Sequence, residues 1–119
     1  MKVIIAGGRD FNDYDLLCRK TDIILSRQDE IEIVSGVAKG ADKLGERYAN
    51  ERGYPIKRFP PDWNHHGNRA GFIRNEDMAL YADALILFWD GRSRGSQNML
   101  KIGSVIGLKI RIVRYPVTK

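Results

Sequence analysis

The chain has 119 residues, 43% of them hydrophobic and 29% charged, a composition typical of one globular domain spanning residues 1–119. It has no apolar run near the roughly 18 residues of a membrane helix, no signal-peptide pattern and one cysteine, so we expect a cytoplasmic protein without a membrane partner. The formal net charge of +5 favours an anionic partner, but the basic residues form no block of the kind found in nucleic-acid-binding arms.

Strand and helix patterns alternate along the chain. Short apolar runs bounded by glycine or proline predict five strands, at residues 3–6, 31–34, 56–59, 84–89 and 109–115. Helical spacing of apolar residues predicts helices at residues 13–27, 41–51 and 69–81, whereas residues 62–68 are expected to form a loop. A fourth helix follows residue 96 and carries its apolar face on Met99, Ile102, Gly103 and Ile106.

The composition of the strands predicts their order. Residues 3–6 and 84–89 are apolar throughout, which is typical of central strands, whereas residues 56–59 and 109–112 alternate apolar and charged, which is typical of sheet edges. With right-handed crossovers, this predicts an α/β fold: a Rossmann-like, doubly wound parallel sheet of five strands in the order 3-2-1-4-5. The order reverses between the first and fourth strands, and ligands of such sheets bind in the crevice there.

Three glycine-containing loops are predicted to line this crevice. Residues 90–96 lie between a strand and a helix, where glycines let a phosphate approach the free N–H groups of the helix N-terminus. Residues 35–42 follow the second strand in the same way, and residues 7–10 follow the first. None of the three completes a Walker A or dinucleotide-binding motif. A plain turn explains the loop at 90–96 equally well, but the convergence of three loops favours a ligand site.

The stretch 62–75 is rich in functional side chains. Trp63 could stack on a base and Arg74 could pair with a phosphate, although a core tryptophan and a surface arginine are the alternative interpretations. The adjacent His65 and His66 have no third histidine or cysteine to complete a ligand set, so we expect no metal site. Carboxylates show no diagnostic spacing, and the residues predict neither a cofactor nor a particular reaction.

Four motifs occur together and in order: GGRDF at residues 7–11, SGxAxGAD at 35–42, AGxxRNxxM at 70–78 and GxSxGSxxM at 91–99. In these motifs the chain resembles the YspA/YpsA-related branch of the SLOG superfamily. That superfamily also includes the "lonely guy" phosphoribohydrolases and DNA-processing protein A. The resemblance implies a Rossmann-like domain, from a bacterium or phage, that binds a nucleotide or a nucleotide-derived ligand as a sensor or binding module.

The same resemblance bears on catalysis. The phosphoribohydrolases carry PGGxGTxxE with a catalytic glutamate; here Ser96 retains the hydroxyl of the threonine, and Met99 replaces the glutamate. Their Arg-Lys pair corresponds to Arg74 and Asn75. Because a carboxylate stabilises the oxocarbenium-like state of glycosidic cleavage, Met99 argues against hydrolysis unless another carboxylate substitutes. The carboxylates considered for that role are Asp42, Asp62 and Glu76.

The first hypothesis is therefore a module that binds a phosphorylated nucleotide-derived small molecule, with Trp63 or Phe11 stacking on its base. A nucleotide N-glycosidase is the second hypothesis, and binding of single-stranded nucleic acid is the third and is not favoured. Assembly into a homo-oligomer is left open. The residues expected to bind the nucleotide or its phosphate are Gly7, Gly8, Arg9, Ser35, Gly36, Lys39, Gly40, Asp42, Trp63, Arg74, Asn75, Gly91, Ser93, Gly95 and Ser96.

Overall fold

The computed structural model describes residues 1–116, in which five strands form one sheet. The strands are β1 (Lys2–Gly7), β2 (Glu32–Ser35), β3 (Ile56–Arg58), β4 (Ala84–Trp89) and β5 (Lys109–Arg114). All neighbouring pairs are parallel, and the order is β3-β2-β1-β4-β5. This confirms the predicted Rossmann-like α/β fold and the order 3-2-1-4-5, with the two alternating strands at the edges.

The helices differ from the prediction at two points: the last helix begins at Arg94 instead of after residue 96, and the stretch 62–68 contains a short helix. They are α1 (Tyr14–Leu25), α2 (Ala41–Arg52), α3 (Trp63–His66), α4 (Ala70–Tyr81) and α5 (Arg94–Ile106). The stretch 62–68, predicted to be a loop, contains the short helix α3, which Asp62 caps by accepting the backbone N–H of His65 at 3.1 Å. Because no residue of α3 is buried, the sequence shows no helical spacing of apolar residues there, and the helix could not be predicted from it. Within residues 1–116, no helix combines the length and apolar character needed to cross a membrane.

The central strand β1 is apolar and buried over residues 3–6 because both faces of the sheet are covered there. Val3 and Ile5 pack into one core together with Tyr48 of α2. Ile4, between them, packs into the opposite core with Met78 of α4. The side chains of successive residues in a strand point to opposite faces of the sheet, so alternate residues of β1 contribute to the two cores. The sheet is therefore packed between two layers of helices, and the connecting loops lie at the two ends of the strands.

The apolar face of α5 ends earlier than its spacing predicts. Met99 and Gly103 are buried and Ile102 is half-buried, but Ile106 is 39% exposed. Ile106 is the last residue of α5, and the chain turns away at Gly107, which adopts a left-handed conformation with φ of 95°. The prediction that Ile106 belongs to the buried face is therefore wrong.

Candidate functional site

A crevice of about 400 Å³ opens at the carboxyl ends of β1 and β4, where the strand order reverses. We call it the inner crevice. Its apolar lining includes Ala6 of β1, Met78 of α4 and Met99 of α5. The loop after β1, the loop before α2 and the start of α5 supply its polar walls. Met99, which its spacing places on the apolar face of the last helix, therefore contributes both to the core and to the wall of this crevice.

The N-terminus of α5 presents unpartnered donors to the inner crevice. Ser93 is its N-cap residue, but the Ser93 side chain makes no capping hydrogen bond. Within the described residues, the buried hydroxyls of Ser93 and Ser96 have no hydrogen-bond partner, and Ser96 is only 4% exposed. The first N–H groups of a helix also lack intrahelical acceptors and carry a partial positive charge. This end of the inner crevice is therefore a cluster of hydrogen-bond donors suited to an anion.

Asp90 shapes the loop that leads into α5. Its Oδ1 accepts the backbone N–H groups of Arg92 at 2.8 Å and Ser93 at 2.9 Å. These backbone hydrogen bonds hold the pKa of Asp90 below its usual value. The turn at Gly91 has φ of 86°, and a Cβ there would lie 2.2 Å from Nη2 of Arg114. Gly91 thus packs against β5 and is not part of the crevice lining.

The loop before α2 brings a carboxylate and a guanidinium together around Gly36. A Cβ on Gly36 would lie 2.8 Å from Nη1 of Arg74 and 2.8 Å from Oδ2 of Asp42, so only glycine leaves both groups their place. Nη1 of Arg74 donates a hydrogen bond to the Gly36 carbonyl. Oδ2 of Asp42 accepts the backbone N–H of Ala38 at 3.1 Å. The close packing orients both charged groups at the border of the crevice.

A chain of amide hydrogen bonds fixes Arg74 from the side of α5. Nε of Arg74 donates to Oδ1 of Asn75 at 2.9 Å, and Nδ2 of Asn75 donates to Oδ1 of Asn98 at 2.8 Å. Burial lowers the pKa of Arg74, the charge of Asp42 partly opposes this effect, and the charge of Arg9 adds to it. Sequence reasoning missed Asn98, because its position next to Met99 gave no sign that its side chain faces α4. These two hydrogen bonds couple the orientation of Arg74 to the position of α5.

Asp42 is the buried carboxylate of the site, and burial raises its pKa to about 6. The pKa of Asp42 in the folded state lies above the unfolded value of about 3.9, so protonation of Asp42 favours the folded state. The free energy of unfolding therefore falls as the pH rises from about 4 to about 6. Asp42→Asn retains an oxygen for Ala38. We expect it to be more stable than the wild type at pH 7, on the order of 2–3 kcal/mol, and equally stable near pH 4. Urea melts at both pH values measure this, and lower stability at pH 7 would show that the arginines require the charge.

A second cavity of about 600 Å³, which we call the outer cavity, lies beside the inner crevice. The two share Arg9, Ala38 and Arg74 as lining residues. Trp63 lines the outer cavity and is 52% exposed, so it is not a core residue. Phe11 is only 2% exposed and stacks on Phe88 with ring centroids 5.0 Å apart. The expectation that Phe11 stacks on a base is therefore wrong, because its ring is enclosed in the core.

The structure divides the predicted binding residues into three groups. Eight line the inner crevice: Gly7, Arg9, Asp42, Arg74, Asn75, Ser93, Gly95 and Ser96. Gly36, Lys39 and Trp63 line the outer cavity, again with Arg9 and Arg74. Gly8, Ser35, Gly40 and Gly91 line neither of the two. Of the carboxylates considered for catalysis, Asp42 lines the inner crevice, whereas Asp62 caps α3 and Glu76 is exposed on α4.

Ser35 illustrates why a predicted residue falls outside the crevice. Its hydroxyl donates to Oε2 of Glu46 at 2.6 Å and accepts the backbone N–H of Val37 at 3.1 Å. Glu46 also pairs with Arg58 at 3.0 Å, which ties β3 to α2. Ser35 is only 1% exposed, and its hydroxyl is bonded to Glu46 and to the backbone of the loop before α2, so it does not face the crevice.

Comparison with known proteins agrees with this fold. The model of the YspA, cpYpsA-related SLOG family matches residues 1–66. The Gene 61 protein of Mycobacterium phage D29 is 28% identical over 122 residues, which cover 92% of this chain and 93% of that protein. Among solved structures, DNA processing protein A from Helicobacter pylori, studied for its single-stranded DNA binding mode, is similar with a TM-score of 0.67 and 19% identity. That likeness covers 100% of this chain and 67% of the other.

Proposed function

The chain belongs to the YspA, cpYpsA-related SLOG family, and we propose that it binds a phosphorylated, nucleotide-derived small molecule in the inner crevice as a sensor or binding module. The observation that carries this proposal is the pair of buried, unpartnered hydroxyls of Ser93 and Ser96 at the N-terminus of α5. Leaving a buried hydroxyl without a partner costs free energy, and a phosphate oxygen would supply the missing acceptor.

Charge and shape support a phosphate in the same place. Arg9 and Arg74 line the crevice, and within the described residues neither makes an ion pair. Gly95 is exposed in the first turn of α5, so the adjoining backbone N–H groups are accessible at close range. A phosphate there receives hydrogen bonds from the helix start and countercharge from the arginines. The apolar surfaces of Met78 and Met99 leave room for the sugar or base that it carries.

A thermal-shift screen tests the proposal. The probes are AMP, GMP, NAD, ADP-ribose and cyclic nucleotides, with the unphosphorylated nucleosides as controls. A ligand at ~100 times its Kd stabilises the folded state by about 2.7 kcal/mol, which gives a readily measured increase in Tm. The proposal fails if no phosphorylated compound shifts the melting temperature while the protein is folded.

Ser96→Ala separates ligand binding from stability. The Ser96 hydroxyl has no hydrogen-bond partner within the part of the chain that the structure describes, so we expect its removal to leave Tm unchanged or slightly raised. Binding of the compound found in the screen should weaken by about 1–2 kcal/mol, since a hydrogen bond to a charged group is lost. Calorimetric titration and thermal melts measure the two effects. Ser104→Ala, on the exposed side of the same helix, is the matched control and should change neither.

Binding of single-stranded DNA is the second candidate function. The net charge of +5 and the fold shared with DNA processing protein A of Helicobacter pylori favour it. We expect only weak binding, because five basic side chains of the described residues already pair with acidic ones. These pairs are Arg19–Asp15, Lys43–Glu46, Arg47–Glu51, Arg52–Asp22 and Arg58–Glu46.

Salt dependence tests this second candidate. Binding of an oligo(dT) probe, measured by fluorescence anisotropy, should be detectable only at low salt and should fall steeply as salt is added, because phosphate contacts release counterions. Submicromolar binding at physiological salt would contradict this expectation and make nucleic acid the leading ligand.

A further inference from the structure

The inner crevice and the outer cavity are each large enough for more than a phosphate. Their volumes are about 400 Å³ and 600 Å³, and ligand sites of roughly 300–1,000 Å³ enclose an entire drug-sized molecule. They meet at Arg9, Ala38 and Arg74, which line both. The two compartments are therefore joined at the point where the positive charge is concentrated.

The outer cavity has the chemistry of a base-stacking site. Trp63 is 52% exposed, and Lys39 and Pro61 lie along the same wall. A Cβ on Gly71 would lie 3.9 Å from the edge of the Trp63 ring and 3.8 Å from Nη2 of Arg74, so the ring and the guanidinium are near neighbours. An exposed aromatic ring beside cationic groups binds a nucleobase by stacking while its phosphate meets the cations.

The junction carries an excess of positive charge. Asp42 is the buried carboxylate beside Arg9 and Arg74, and its single negative charge offsets only one of the two guanidinium charges, even when Asp42 is fully ionised. Asp10 and Asp90 line the inner crevice, whereas no carboxylate of residues 1–116 lines the outer cavity. Within the described residues, neither arginine has an ion-pair partner. A doubly charged phosphate or pyrophosphate therefore fits this position, and the two compartments on either side of it decide between a ligand with one half and a ligand with two.

We propose that the ligand consists of two nucleoside-sized halves joined by a pyrophosphate. The pyrophosphate lies between Arg9 and Arg74, one half occupies the inner crevice against α5, and the base of the other half stacks on Trp63 in the outer cavity. This inference rests on the proposed function and specifies the ligand class of the same site. It distinguishes dinucleotides and nucleoside diphosphate sugars, which fill both compartments, from mononucleotides, which fill one.

Calorimetric titration of the full chain with four probes tests the inference. ADP-ribose and NAD have two halves, and AMP and ribose 5-phosphate have one. We expect at least one of the first two to bind about tenfold more tightly than either of the others, because both compartments are filled. Trp63→Ala should weaken that probe by about tenfold and leave ribose 5-phosphate unchanged. Phe72→Ala, an aromatic residue of α4 that is 51% exposed and lines neither compartment, is the matched control.

The possible failures differ from one another. If neither two-ended probe binds more tightly than AMP, or if Trp63→Ala acts no more strongly than Phe72→Ala, the inference is wrong. The proposed function then stands, provided that AMP binding still depends on Ser96. If no phosphorylated compound binds, the proposed function fails and the inference fails with it. If oligo(dT) binds more tightly than both two-ended probes and Trp63→Ala weakens it, the outer cavity is a nucleic-acid site and the inference is overturned.

Discussion

Gly95→Val is expected to abolish ligand binding and leave the protein folded. Gly95 lines the inner crevice, and a Cβ at this position would meet no atom of residues 1–116 within 4 Å, so the fold has space for a side chain there. A β-branched side chain would occupy the position from which a phosphate approaches the N–H groups of α5. We expect affinity to fall by at least about 100-fold, the loss of several charge-assisted hydrogen bonds.

Calorimetric titration with the compound found in the screen measures this loss, and circular dichroism melts establish that the variant is folded. Ser104→Val introduces the same side chain on the exposed side of α5 and should bind normally. Normal binding by Gly95→Val would show that the first turn of α5 does not contact the ligand and that the ligand binds elsewhere.

Gly40→Ala is expected to be the most destabilising of the substitutions considered. Gly40 has φ of 78°, and its Cβ would lie 2.2 Å from the carbonyl oxygen of Gly8 and 2.7 Å from that of Arg9. The strained backbone conformation and the contact with backbone atoms, which cannot rotate away, both oppose the methyl group. We expect the free energy of unfolding to fall by about 4 kcal/mol or more, a large part of the total for a domain of this size.

Gly53→Ala is the comparison variant. Gly53 ends α2 in the left-handed helical region with φ of 75° and ψ of 24°, whereas Gly40 has φ of 78° and ψ of -126°, and a Cβ on Gly53 meets no described atom within 4 Å. This variant should lose only the cost of placing alanine in the left-handed helical region, about 1 kcal/mol. Urea denaturation of both variants measures how much more Gly40→Ala loses through its backbone conformation and its contact with the loop after β1. Equal losses would show that neither of these contributes.

The sequence by itself determined the sheet, its strand order and the position of the crevice. A parallel strand that is buried on both faces of the sheet needs apolar side chains on both faces. Only residues 3–6 and 84–89 are apolar throughout, which places these two strands at the centre of the sheet. The glycine loops follow directly from strand ends, so their position at the switch point follows from the topology alone. The strand order can be predicted from local sequence because the connectivity of the strands and the burial of each strand are both recorded in contiguous residues.

The tertiary structure alone decided which side chains face the crevice. Ser35 ends β2 and Ser96 lies in the first turn of α5, both beside glycine-rich segments, yet the hydroxyl of Ser35 bonds to Glu46 while that of Ser96 has no partner within the described residues. Phe11 and Trp63 are both aromatic loop-flanking residues, yet one is 2% exposed and the other 52%. Each outcome depends on partners from other elements, which meet only when the chain has folded. Spacing along the sequence therefore gives the loop a position but does not give its side chains their hydrogen-bond partners.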